Sequence, residues 1–170
     1  VKFSPDTNYR TETRNILGIT EEQVVFLFLG RLCRDKGIDE LLDAFSSLHK
    51  EYNNTYLLLV GPEEDNYGDK VKEKYCNLID KNNFCLYGKT PFPEQLLNAG
   101  DVFCLPSYRE GFGMSVIEAS ATGLATIVSN AYGLRDSIIP EITGLVCKVK
   151  DTDSLYSQMK VLMDDPDRIK

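Results

Sequence analysis

One segment concentrates residues that could do chemistry: Pro106-Ser107-Tyr108-Arg109-Glu110-Gly111-Phe112-Gly113-Met114-Ser115-Val116-Ile117-Glu118-Ala119. It follows an apolar run and opens a helical pattern. Gly111 and Gly113 let backbone approach a ligand closely, and a helix beginning near Gly113 points unbonded N–H groups and a positive dipole end outward. That combination suits a phosphate. Glu110 precedes the helix and Glu118 stands on its second turn, about 7.5 Å beyond Gly113 at ~1.5 Å per residue, sharing a face with Met114 and Ser115. An anion at the helix start therefore has one carboxylate on either side. Carboxylates repel phosphate but accept hydrogen bonds from hydroxyls. Ribose, diphosphate and sugar in a row, as in a nucleoside diphosphate sugar, have the matching order.

A second segment, Gly30-Arg31-Leu32-Cys33-Arg34-Asp35-Lys36-Gly37, sets three cations at the end of another apolar run. Its glycines lack the G-x-G-x-x-G spacing of a dinucleotide fingerprint. Arg31 offers a planar fork and Lys36 a point charge, a pairing that favours an anion such as a diphosphate. Other motifs fail on inspection. Gly88-Lys89-Thr90 mimics the end of a P-loop, but Asn83 stands where that motif needs glycine and the intervening residues read as a strand. Asp151-x-Asp153 precedes an amphipathic stretch and reads as a helix cap rather than a metal pair. The single histidine, His49, follows the apolar positions of a helix near its carboxyl end, where an imidazolium would complement the dipole, and with no second histidine a histidine metal site cannot be assembled.

The elements that must position these residues follow from periodicity. Apolar, β-branched or aromatic runs at Val24–Leu29, Thr55–Val60, Phe84–Tyr87, Val102–Leu105, Ala125–Ser129 and Gly144–Val149 alternate with amphipathic stretches. Ile38, Leu41, Leu42, Phe45 and Leu48 mark one helix face. Further helices are expected at Tyr67–Ile79, at Glu94–Ala99, from Gly113 and at Ser154–Met163. Strands apolar on both faces imply a six-stranded, mostly parallel, doubly wound α/β sheet of Rossmann-like type, with ligands outside the carboxyl ends of the strands. Residues 1–23 read as an entry strap or interdomain linker with one weak helical stretch, Arg10–Ile16. Residues 24–163 form the lobe, and 164–170 an interrupted exit segment.

The bulk composition agrees with a single lobe. The chain has 170 residues, 42% of them hydrophobic and 26% charged, and a net charge of −7, which disfavours nucleic-acid and anionic-lipid partners. No run is long enough for a membrane span, and Val1 to Asn8 lack a signal-peptide layout. Cys33, Cys76, Cys85, Cys104 and Cys147 share no metal-type spacing and read as buried thiols in a reducing compartment.

In this order the motifs resemble the donor-binding, carboxyl-terminal lobe of the retaining family-four glycosyltransferases with the GT-B fold. The matching pieces are Phe3-Ser4-Pro5, Gly30-Arg31 with Lys36-Gly37, Gly61-Pro62, Tyr87-Gly88, Pro106-Ser107, the two glutamates separated by seven residues, and Thr143-Gly144-Leu145-Val146. Asn130 to Asp136 is similar to the version in bacterial capsule, exopolysaccharide and lipopolysaccharide enzymes. The resemblance implies that Arg31 and Lys36 hold the diphosphate and neutralise the leaving nucleotide, with Gly30 at the same turn. It implies that Met114 and Ser115 offer backbone N–H groups to phosphate and that Glu118 binds ribose. Glu110 would hold the transferred sugar, with Gly111, Phe112 and Gly113 nearby, and Gly61, Gly88 and Lys89 would lie near the base. Glu110, Arg31 and Lys36 are then the expected catalytic set. No metal and no cofactor besides the nucleotide-sugar substrate is implied, UDP being the expected carrier and a glycan or lipid-linked molecule the acceptor. The enzyme would be cytoplasmic, at the inner membrane face in its full-length form, and this chain alone would bind nucleotide weakly without transferring sugar. The alternatives are a nucleotide-sugar epimerase or phosphorylase of related fold, and a noncatalytic nucleotide- or carbohydrate-binding module.

Overall fold

The structure is a computed structural model that describes residues 2–75 and 81–169. Six parallel strands form one sheet: β1 (Val24–Leu29), β2 (Thr55–Val60), β3 (Phe84–Gly88), β4 (Val102–Leu105), β5 (Ala125–Ser129) and β6 (Leu145–Cys147), in the order β3-β2-β1-β4-β5-β6. Every residue of β2 and β4 is buried, as strands covered on both faces must be, whereas edge strand β3 is only partly so. The order reverses between β1 and β4. The turns after these two strands therefore diverge and leave a crevice at their carboxyl ends.

The helices are α1 (Thr7–Leu17), α2 (Ile38–Glu51), α3 (Tyr67–Tyr75), α4 (Pro93–Ala99), α5 (Met114–Ala121) and α6 (Thr152–Asp164). Right-handed crossovers put α2 and α5 on opposite faces of the sheet, since one connection runs left from β1 and the other right from β4. α2 packs on α6, and α1 on α4. On the α2 side Phe45 meets Phe26 edge to face at 6.1 Å and stacks on His49 at 5.7 Å, so the lone histidine is a packed ring whose Nδ1 lies 2.8 Å from Thr55 Oγ1.

Several expected boundaries shift for identifiable reasons. β6 stops at Cys147, two residues short of the expected Val149, because side chains take over its backbone donors. Lys148 N–H donates to Ser154 Oγ and Val149 N–H to Asn130 Oδ1. α6 begins at Thr152 because Asp151 caps it, accepting from Ser154 N–H at 2.8 Å. The expected Tyr67–Ile79 helix is seen as far as Tyr75, and 76–79 lie outside the described residues, as does Cys76. Cys33, Cys104 and Cys147 are buried, Cys85 is only partly so on the sheet edge, and all four are free thiols.

The largest departure concerns the strap. Residues 7–17 form a full helix instead of a weak stretch at 10–16. Asp6 caps it by accepting from Asn8 and Tyr9 N–H, and Gly18 ends it in the left-handed conformation at φ 68°. Arg14 anchors it. Its side chain is 1% exposed and donates to Ala99 O, Thr20 O and Gln23 O and, at 2.6 Å, to Asp101 Oδ2. Asp101 also accepts from Arg10 and from Val25 N–H, so one carboxylate joins α1 to the first residues of β1 and β4. Burial lowers the Arg14 pKa, and the Asp101 charge opposes that shift.

Candidate active site at the carboxyl edge

At the carboxyl ends of β3, β2 and β1 stand Gly88, Gly61 and Gly30. Gly61 N–H donates to Gly88 O and Gly30 N–H to Val60 O. Gly61 has φ 144°, and a Cβ there would fall 1.7 Å from Gly30 O, so the two turns touch backbone to backbone. Lys89 follows Gly88 and is exposed.

After β1 the chain makes one 3₁₀ turn, Arg34–Lys36, and enters α2 through Gly37 at φ 69°. A Cβ on Gly37 would lie 2.2 Å from Pro106 O, which shows how tightly this loop abuts the turn after β4. Tyr108 N–H reinforces the contact by donating to Asp35 O at 2.8 Å. Gly37→Ala is expected to cost about 1–3 kcal/mol, because it combines a left-handed backbone with this overlap; a thermal or urea melt indistinguishable from the parent's would count against that packing.

The tight contact brings Lys36 to Glu110. Lys36 Nζ is ion-paired with Glu110 Oε1, the side chains being 13% and 18% exposed. Ser107, itself fully buried, donates its hydroxyl to the same carboxylate oxygen at 3.0 Å, and Ser129 at the end of β5 donates to Ser107 O. Glu110 is thus oriented from two sides. Gly113 caps α5 at φ 68° against Leu134, and Gly133 leaves no room for a Cβ because Glu110 O would lie 2.2 Å from it. The first-turn N–H groups of α5 at Met114 and Ser115, which no preceding turn can bond, open beside this pair. Phe112 and Met114 are 48% and 61% exposed.

Glu118 lies on the second turn of α5, toward α4. Burial raises its pKa, and Glu94 adds to the rise while Lys2 of the strap opposes it. Lys2 sits 3.6 Å from Glu94. The two glutamates of the motif therefore face different surroundings, Glu110 a direct ion pair with Lys36 and Glu118 a partly desolvated position under the opposed charges of Lys2 and Glu94.

Arg31 is not joined to this group. Its Nη1 donates to both oxygens of Glu64, at 2.9 and 3.0 Å, with the two side chains about half exposed. Cys33, between the cations, donates to Asp35 at 2.8 Å, and burial, that hydrogen bond and the neighbouring Glu64 push its thiol up to about 12. It is protonated at neutral pH. Two contacts, those of Ser107 and Glu64, escaped the motif reading. Ser107 carries a signal in the Pro106-Ser107 pair that follows β4, whereas Glu64 is one of several acidic residues in its loop.

A cleft of about 470 Å³ exists elsewhere, at the amino ends of β5 and β6, lined among others by Thr126, Glu141, Ile142 and Arg168. It lies at the opposite end of the strands from Lys36 and the α5 N-terminus. In open sheets of this kind ligands occupy the carboxyl edge, so the charged crevice is the better candidate.

A doubly wound lobe with a lysine-carboxylate pair at a helix start beside its switch point describes a class of ligand-binding half-sites. Within that class the chain belongs to the glycosyl transferases group 1 family, whose model matches residues 9–170. It is 30% identical over 165 residues to the capsular polysaccharide biosynthesis glycosyltransferase CapM of Staphylococcus aureus, covering 96% of this chain and 42% of that protein. It is 31% identical over 169 residues to the UDP-Gal:alpha-D-GlcNAc-diphosphoundecaprenol alpha-1,3-galactosyltransferase of Escherichia coli, covering 96% of this chain and 43% of that protein. The chain thus spans less than half the length of these relatives. Anabaena HepE, solved with UDP and glucose, superposes with a TM-score of 0.90 at 20% identity over 99% of this chain and 46% of that one, a likeness of fold. The C-terminal domain of a group 1 glycosyl transferase from Francisella tularensis superposes at 0.83 with 19% identity, covering 98% of this chain and 88% of that one. The family and the α/β lobe expected from the motifs are the ones found. No helix among the described residues is long and apolar enough to cross a membrane.

Proposed function

We propose that the carboxyl-edge crevice binds the donor of a retaining, metal-independent glycosyltransferase, taking a sugar from a nucleoside diphosphate, UDP in particular, for transfer to a glycan or lipid-linked acceptor in polysaccharide biosynthesis. The observation that carries this reading is the Lys36–Glu110 ion pair, set four residues ahead of the first residue of α5. A cation, a helix dipole and the first N–H groups of α5 on adjoining turns are features that suit a diphosphate, which supports the reading.

In this mechanism Lys36 and the Met114 and Ser115 N–H groups hold the diphosphate. As the bond from sugar to phosphate lengthens, negative charge grows on the β-phosphate, and these preorganised donors stabilise it. Arg31 supplies a second cation from the same loop. Glu110, oriented by Ser107, accepts hydrogen bonds from the sugar's hydroxyls, and the pairing with Lys36 gives way to one in which each faces its own part of the donor. Glu118 accepts from ribose hydroxyls, and Gly61, Gly88 and Lys89 flank the base. Residues 1–23 serve as the link to the acceptor-binding part of a longer protein, which supplies the other wall of the cleft; sugar transfer belongs to that whole. The names of the S. aureus and E. coli relatives support polysaccharide or lipid-linked glycan assembly, and the latter supports UDP.

Titration calorimetry on this chain tests the assignment. Glu118→Ala is expected to weaken UDP and uridine alike by ~1.5–3 kcal/mol, the loss of hydrogen bonds to a charged acceptor, while leaving pyrophosphate unaffected. Equal UDP affinity in parent and variant would remove Glu118 from the site, and the lack of any preference for UDP over pyrophosphate in the parent would favour a different ligand.

A further inference from the structure

Arg31 and Lys36 after β1 are each paired with a carboxylate, and the pairing of Arg31 with Glu64 is built into the backbone. Leu32 N–H donates to Pro62 O at 2.8 Å and Glu64 N–H to Leu32 O at 3.1 Å, with a parallel bridge between Leu32 and Glu63. Gly61 and Gly30 are in direct backbone contact just behind it. Glu64 therefore projects from a loop stitched to the residue next to Arg31, and its carboxylate meets the guanidinium without any long-range adjustment. Both of its hydrogen bonds from Arg31 come from Nη1, and the Cys33 thiol lies beside the same carboxylate. Both side chains are about half exposed, 56% and 47%, so the pair is solvated and readily exchanged for another anion.

Resting on the donor-site reading above, we infer that Glu64 is the resident counter-ion of Arg31 and competes with the donor's diphosphate for it. Without ligand, Glu64 neutralises the guanidinium at the crevice mouth. A diphosphate arriving at the α5 N-terminus draws Arg31 away, and Glu64 reclaims it when the nucleoside diphosphate leaves. The carboxylate thus sets how tightly the diphosphate is held, and it acts on the phosphates rather than on the nucleoside. Its location on the loop after β2, apart from the glutamates of the main motif, makes it a separate control over product release.

The test is calorimetry at low ionic strength, where such pairs are least screened, with UDP, uridine and inorganic pyrophosphate as probes. Glu64→Gln keeps size and hydrogen-bonding capacity and removes the charge. It is expected to tighten UDP and pyrophosphate about fivefold, the scale of one unit charge acting at ~4 Å through water, and to leave uridine unchanged. In an Arg31→Ala background the same substitution should change either affinity by less than roughly twofold, because no guanidinium remains to be released. Unchanged or weakened affinity in Glu64→Gln, an equal gain with Arg31 absent, or no binding of pyrophosphate or UDP by any variant would overturn the inference. A gain on pyrophosphate that persists while UDP binds no better than pyrophosphate would leave the counter-ion role standing and defeat the nucleotide reading instead.

Discussion

Replacing Asp101 with alanine is expected to lower the unfolding free energy by about 3–5 kcal/mol, read from urea denaturation, because it strands a buried guanidinium. Arg14 is 1% exposed, and three further guanidinium donors go to the Ala99, Thr20 and Gln23 carbonyls. Without Asp101 its charge loses its ion-pair partner, and only the more remote Glu21 charge remains to offset it. The β1 amide of Val25 loses its acceptor as well, and Arg10 loses one of its partners while keeping the Gly100 carbonyl and Glu21. Asp101→Asn retains a carbonyl acceptor and should lose less. Since α1 is held to the sheet largely through this cluster, hydrogen exchange should show α1 opening before β1 and β4 in either variant. A loss below about 1 kcal/mol for the alanine variant, the range of a surface pair, would mean that the cluster is not the anchor described.

The second large effect is on binding. Lys36→Ala should weaken UDP by roughly 10- to 100-fold in calorimetry while leaving uridine nearly unchanged, since a charge-assisted hydrogen bond contributes ~1.5–3 kcal/mol. The substitution also leaves Glu110 without its cation, beside the helix start where the phosphates belong. Part of the loss is therefore repulsion. Combining it with Glu110→Gln should restore some affinity for UDP, although not for the sugar carried on it. Equal weakening of UDP and uridine would show that Lys36 acts through the fold alone.

How much of this was legible before the structure differs from element to element. The Ile38 to Leu48 periodicity and the two-faced apolar strands announce α2 and the doubly wound sheet, because burial on a sheet or helix face is a local, repeating constraint. The candidate site was legible for the same reason: Gly37, Gly111 and Gly113 mark turns, and Glu110 and Glu118 are spaced along one turn and helix. Lys36 and Glu110 lie 74 positions apart in the chain, yet topology brings the ends of β1 and β4 together at the switch point. The anchoring of α1 was not legible. Arg14 and Asp101 are 87 positions apart, neither belongs to a turn or motif, and a polar helix with an arginine on it looks solvated until its partner is known. Glu64 was hidden similarly, since only the register that lays Leu32 beside Glu63 shows which acidic residue of that loop meets Arg31.

The central claim is that the ligand edge is the carboxyl edge at the switch point, despite the roomy cleft at the amino ends of β5 and β6. Titrating UDP into the isotope-labelled chain and following backbone amide signals tests it most directly. Shifts confined to Gly30–Gly37, Gly61, Gly88 and Glu110–Glu118 are the predicted result. Shifts centred on Thr126, Glu141, Ile142 and Arg168, with Lys36, Met114 and Ser115 unmoved, would contradict it.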